Sequence, residues 1–339
     1  MVFLFIKDCF AGVNSPGGFF SYFNYISDDI KEKKKLYIKG GSGMGKSSFM
    51  KRVAQKAEAK GLDVERFHCS SDPTSLDGLS IPAIGVSVVD ATLPHISDPA
   101  YPGYGGEIVD FPEFMIKEYS PKKMNEIQKN TLIKKECFSA GYRYLAAAQK
   151  LVAFDALSYD KAFLEAQTIV KRFLKENKSC KTGAERKLFV SAVCPGGVQS
   201  YHETNFSSAH KVAVAGEIAH KVLNILKDFA KSSGYDTVCF YCPVFPGKFC
   251  DHIFIPGINT VFSAQNTLHN YSGDETVDLT YHNTFKSDTK SINMLINSAV
   301  SCFEKARAAH LEIEKINIPQ MYFERLDKRC GEIIERIFA

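Results

Sequence analysis

The sequence predicts an α/β protein built twice in tandem, each copy a mainly parallel sheet followed by a helical tail, with the second copy degenerate. Three observations predict it: an ordered internal repeat, a strand–glycine loop–helix succession near residue 40, and two stretches of helical periodicity.

The repeat comes first because it sets the organisation. Pro16-Gly17-Gly18 with Ser21-Tyr22 returns as Pro195-Gly196-Gly197 with Ser200-Tyr201. Lys35 to Gly40 returns as Lys211 to Gly216, Phe67-His68-Cys69 as Phe240-Tyr241-Cys242, and Ile81-Pro82 as Ile255-Pro256, while His95 falls opposite His269. The order is kept and the offset drifts only from 179 (Pro16, Pro195) to 173 (Phe67, Phe240). Residues 122 to 176 and 288 to 338 then carry apolar residues at helical spacing, such as Ile127, Ile133, Phe138 and Tyr142, and Ile292, Leu295, Ala299 and Phe303. The polar run Asn177 to Gly183 separates the copies, giving halves 1–180 and 181–339 that are expected to pack against each other.

A chain of 339 residues, 45% hydrophobic and 24% charged, suits two ordinary globular domains. Its 42 basic and 38 acidic residues leave a net charge of +4. That excess is too mild to indicate nucleic acid or an anionic membrane as a partner. The densest basic run, Lys33 to Lys35, reads as the solvated start of a strand. Apolar runs such as Val2 to Ile6 are far too short to span a bilayer, and no basic-then-apolar leader opens the chain, so export is not expected. Ten scattered cysteines fit a reducing cytoplasm better than a disulfide framework.

Lys35 to Lys39 reads as a strand, with Leu36 and Ile38 on one face. Gly40-Gly41-Ser42-Gly43-Met44-Gly45-Lys46-Ser47 follows at once. A helix then runs from Ser48 to Lys60, with Phe49, Met50, Val53, Ala54 and Ala57 on one side and Gly61 as its stop. The glycines free the loop of side-chain bulk and permit positive φ, so successive N–H groups converge on an anion at the helix N-terminus. In that arrangement Lys46 reaches the β- and γ-phosphates of a nucleotide and the Ser47 hydroxyl takes a Mg2+ position, so the expected ligand is a nucleoside triphosphate, ATP above all.

The segment 35–60 resembles the phosphate-binding region of P-loop NTPases. The whole chain resembles an uncharacterised bacterial family of duplicated P-loop ATPase-like proteins, on Phe10-Ala11-Gly12, Pro16-Gly17-Gly18, the glycine loop, His68 to Pro73, and Asp90-Ala91-Thr92 with Pro94-His95. The resemblance implies nucleotide binding and the tandem layout; it leaves the reaction open.

Such a site needs a carboxylate at a neighbouring strand end for the Mg2+. Val86 to Asp90 is an apolar strand ending in acid, and Val64 to Cys69 is another that runs on to Asp72. Asp90 is the preferred metal-side acid. Asp72 is the alternative, or a base that activates water or an acceptor hydroxyl. His95 and Asp98 follow closely as candidate substrate contacts, and the segment 72–110, rich in Pro, Gly, Tyr and Asp, is a candidate substrate-covering loop.

In the second copy Gly216 leads into Glu217-Ile218-Ala219-His220-Lys221, without the lysine, the hydroxyl or the final glycine of the loop, and Ala264 stands opposite Asp90. This half is expected to bind no triphosphate, and to pack over the first and cover its nucleotide. An arginine supplied across the interface is one possibility, Arg186 being a basic candidate. Cys239 and Cys242 fall three apart in a strand, pointing to opposite faces, so they read as buried apolar cysteines rather than zinc ligands. Three functions fit: a Mg-dependent ATPase using the N-terminal half, a phosphotransferase acting on a small-molecule or nucleotide acceptor, and a non-catalytic nucleotide switch.

Overall fold

The structure, a computed structural model, describes residues 6–27, 34–99, 104, 106–116, 120–152, 159–174, 181–265, 268, 270–280 and 287–339. It contains two six-stranded sheets of the same topology. The first comprises β1 (Asp8–Cys9), β4 (Lys34–Lys39), β5 (Glu65–His68), β6 (Leu76–Ile81), β7 (Val86–Asp90) and β8 (Gly106–Asp110), ordered β1-β5-β6-β7-β4-β8. The second comprises β9 (Glu185–Leu188), β12 (His210–Ala215), β13 (Thr237–Tyr241), β14 (Cys250–Ile255), β15 (Thr260–Gln265) and β16 (Glu275–Asp278), ordered β9-β13-β14-β15-β12-β16. Each half also carries a hairpin: β2 (Gly12–Ser15) with β3 (Gly18–Ser21), and β10 (Ser191–Cys194) with β11 (Gly197–Ser200). The duplication read from the sequence is therefore a duplication of fold.

The sheets are mixed but mostly parallel, in keeping with the expected mainly parallel order. β6 runs antiparallel to both β5 and β7, and β14 to both β13 and β15; the remaining pairings are parallel. The reason is connection length. Residues 82–85 form a tight turn between β6 and β7, whereas a parallel crossover needs a dozen or more residues.

Helices α1 (Lys46–Ala59) and α5 (Ala219–Ser232) follow β4 and β12. The first tail forms α2 (Pro121–Leu151) and α3 (Tyr159–Phe173); the second forms α6 (Thr289–Asn317) and α7 (Phe323–Phe338). Their packing is exchanged between halves. The apolar stripe of α7 (Leu326, Cys330, Ile333 and Ile334) joins the first core with Leu36, Ile38, Phe49, Met50 and Val53. Ala162, Ala166 and Ile169 of α3 join the second core with Val212, Val222, Leu223 and Leu226. Each tail thus finishes the core of the other half, which the boundary near residue 180 does not convey. Between them α2 and α6 run antiparallel: Gly141 lies against Phe303, Leu145 clusters with Ala299, and Ala148 clusters with Ile292.

The sheets meet along a local two-fold. Phe10 and Phe189 exchange backbone hydrogen bonds of 2.8 and 3.0 Å, and a shared core holds Ile6, Phe67 and Val89 with Leu188, Phe240 and Phe254. Arg186 belongs here. It makes a two-pronged buried pair with Glu65 at 2.7 Å on each oxygen, so it serves the inter-half seam and not the glycine loop. Among the described residues no helix is long and apolar enough to cross a membrane.

Candidate functional site

The site is built at the end of β4. Six residues separate that strand from α1, whereas only three separate β12 from α5 in the second half. Gly43 (φ 77°) and Gly45 (φ 91°) take left-handed conformations, and Gly45 is the residue that opens the helix. No side-chain cap is present at this helix start, so the first-turn N–H groups are left for another acceptor. Met44 is buried, its sulfur accepting from Gly41 N–H at 3.0 Å, which folds the loop over the first core.

Lys46 closes the loop on itself. Its Nζ donates to the Gly40 and Gly41 carbonyls at 2.5 and 2.9 Å and lies 3.5 Å from Asp90 Oδ2. Asp90 is brought there because Ile38 and Asp90 are register partners in the parallel β4–β7 pair. Its other oxygen accepts from Thr92 N–H at 2.9 Å, and the Thr92 hydroxyl lies between Asp90 and the Gly40 carbonyl. Ser47 Oγ accepts from Leu76 N–H at 3.0 Å, which leaves the hydroxyl one lone pair for a cation. In the second half the register partner of Val214 is Ala264, so an alanine stands where Asp90 does.

Sequence reasoning missed Asp77. It is 5% exposed within β6, its Oδ2 has no hydrogen-bond partner among the described residues, and it lies 3.4 Å from His95 Nε2. Burial drives its carboxyl above the usual range; His95 opposes that and the Asp90 charge adds to it. The legible signal was an aspartate inside an apolar strand, repeated as the equally buried Asp251 in β14. Cys69 pairs with Asp77 as Cys242 does with Asp251. Cys242 itself lies one residue beyond β13, not within it as the repeat suggested.

The remaining expected residues scatter. His95 is buried, stacked on Phe23 at 4.4 Å with Phe19 edge-on at 4.8 Å, so it is a packed partner of Asp77 rather than an open substrate contact. Asp98 is exposed and lies 2.8 Å from Lys39, a half-buried residue outside the loop. Asp72 sits in the β5–β6 connection. Burial works against its charge, yet hydrogen bonds from Ser75 and Thr74 and the nearby Arg307 hold its carboxyl below the usual range. That environment makes a poor proton acceptor. The segment 72–110 holds the strands β6, β7 and β8, which leaves the stretch 91–105 between β7 and β8 as the part free to cover the loop; its residues 100–103 and 105 lie outside the described residues, as does His269.

Helix α6 of the second half reaches this loop. Asn317 Nδ2 donates to the Ser42 carbonyl at 3.0 Å, and His310 Nδ1 is 3.3 Å from Ser42 Oγ. Arg307 donates to Asp72 at 3.1 Å, and Glu314 lies against Gly43. Lys134, on α2, is half-buried nearby; burial and the Lys46 charge lower its pKa. Burial, Lys134 and Lys46 together pull His310 down to about 4.

Among the described residues no cluster of three or more His, Cys, Asp and Glu side chains could hold a metal. Mg2+ asks less of a protein: one or two oxygens besides the substrate phosphates and water. Ser47 Oγ and Asp90 fit that donor set. The chain matches no family model, no curated protein and no solved structure.

Proposed function

We propose that the first half binds a Mg-nucleoside triphosphate, ATP by preference, at residues 40–48, and hydrolyses it. The observation that carries this reading is Lys46: an ammonium held across the mouth of a glycine loop at a helix start, within reach of a strand-end carboxylate. Main-chain N–H groups of Ser42 to Ser48 would face the phosphates, and Lys46 would exchange its carbonyl partners for phosphate oxygens. Ser47 and Asp90 would hold Mg2+, which supplies charge neutralisation between the β- and γ-phosphates. Water attacks the γ-phosphorus, the bond to the β-phosphate oxygen breaks, and a carboxylate accepts the proton; Asp77 suits that role better than Asp72.

Phosphoryl transfer would differ only in what attacks the γ-phosphorus, and no observation at the loop favours an acceptor over water. A switch without turnover is the second reading, favoured by the contact of α6 with Ser42 and Gly43, which ties loop occupancy to the other half. Calorimetry with Mg-ATP and Mg-GTP on the intact chain and on Lys46→Ala tests the site. Loss of about 2–4 kcal/mol of binding in the variant is expected; equal affinities sink the proposal. Phosphate release from the intact chain then separates the ATPase from the switch.

A further inference from the structure

Cations from three helices come together beside the glycine loop: Lys46 of α1; Arg307 of α6, one turn before the His310 that lies 3.3 Å from Ser42 Oγ; and Lys134 of α2, which the antiparallel α2–α6 packing, with Gly141 against Phe303, sets level with His310. Lys46 has Asp90 within 3.5 Å and Arg307 has Asp72 at 3.1 Å. Lys134 pairs with no carboxylate among the described residues, although it is half-buried and feels the Lys46 charge. An ammonium in that position is costly without an anion beside it. His310 itself is pulled down to about 4 by burial and by both lysines, so near pH 7 it adds no further positive charge.

We propose that the α2–α6 pair reads the terminal phosphate, with Lys134 and Arg307 as the residues that distinguish a bound nucleoside triphosphate from a diphosphate. The proposal rests on the nucleotide reading above. A P-loop lysine reaches the β- and γ-phosphates, so cations that approach the loop on the Ser42 side, across from α1, would meet the outer end of the chain of phosphates. Arg307 exchanges Asp72 for phosphate oxygens, a charge-assisted contact its planar fork suits. Lys134 gains the anion it lacks. Glu314 packs its Cα and Cβ on Gly43 and holds its carboxylate 3.4 Å from His310 Nε2, so a negative charge beside the loop acts in the opposite sense. A diphosphate would leave all three largely untouched. Since α2 and α6 come from different halves, the third phosphate would be reported to both.

The test is titration of a non-hydrolysable Mg-ATP analogue and of Mg-ADP into the intact chain, Lys134→Gln, Arg307→Gln and Glu314→Gln, with exposed Lys135→Gln as control. Lys134→Gln and Arg307→Gln should each weaken the triphosphate about tenfold while leaving ADP within about twofold. Glu314→Gln, nearly isosteric, should tighten the triphosphate severalfold; Lys135→Gln should change nothing. Equal losses for both nucleotides, or unchanged triphosphate affinity in Lys134→Gln and Arg307→Gln while Lys46→Ala abolishes binding, overturn the sensor and leave the binding site standing. An intact chain that binds neither nucleotide overturns both.

Discussion

Asn317, the last residue of α6, donates its side-chain amide to the Ser42 carbonyl at 3.0 Å, tying the tail of the second half to the glycine loop of the first. The adjoining contact is as close: a Cβ on Gly43 would fall 3.0 Å from Ile318 Cγ1 and 3.2 Å from Glu314 Cα. Gly43→Ala therefore meets both a left-handed φ and a packed helix. We expect it to cost about 1–3 kcal/mol in urea denaturation, and to weaken nucleotide binding. An unchanged midpoint would mean that α6 is not seated on the loop.

The Arg186–Glu65 pair is the buried ionic bond between the halves, with Glu65 1% and Arg186 8% exposed. Removing one partner strands the other charge. Arg186→Met is expected to destabilise the fold by about 3–5 kcal/mol, while Arg186→Met combined with Glu65→Met recovers much of that loss. A double variant no more stable than the single one would contradict this assignment. Turnover per folded molecule should be unaffected, because Arg186 is remote from the loop.

Asp77 and Asp72 separate by environment. Asp77→Asn should lower phosphate release by roughly a hundredfold or more while nucleotide affinity stays near that of the intact chain. Asp72→Asn should leave much of the turnover, since its carboxylate is already engaged by Ser75, Thr74 and Arg307. Steady-state release assays paired with binding titrations check both. The opposite ranking would return the proton-accepting role to Asp72.

Acid should loosen the second half first. Burial pulls His202 from its ordinary 6.5 down to about 4, with Lys211 adding to the effect and Glu203 opposing it. Between those values the unfolded chain binds a proton that the folded chain refuses, so stability is full above about pH 6.5 and falls as pH drops toward 4. His310 has the same sign and window. His202→Gln should flatten the pH dependence of the denaturation midpoint across this interval; an unaltered slope would show that His202 does not contribute.

The glycine loop was legible because its requirements are local. A positive φ, a tight turn and a helix start are written in consecutive residues; Gly43 and Gly45 take that φ, and Lys46 comes within 3.5 Å of Asp90. The duplication was equally legible, since landmarks at equal spacing imply equal topology, and Ala264 stands opposite Asp90 in spacing and in register alike. Asp77 was not, because a lone acid in a strand gains meaning only from what surrounds it across the sheet. Nor was the role of Lys134 or Arg307, which stand 88 and 261 residues beyond Lys46 in sequence.

By itself the sequence determined the repeat, the loop and the apolar faces of the helices, all of which depend on neighbours along the chain. Only the tertiary structure decided that α3 and α7 cross to opposite halves and that α6 arrives at Ser42. An apolar stripe specifies that a helix must be covered, but not by which of two similar cores. That choice falls to the shape of the whole molecule, where the antiparallel α2–α6 pair carries each tail over to its neighbour.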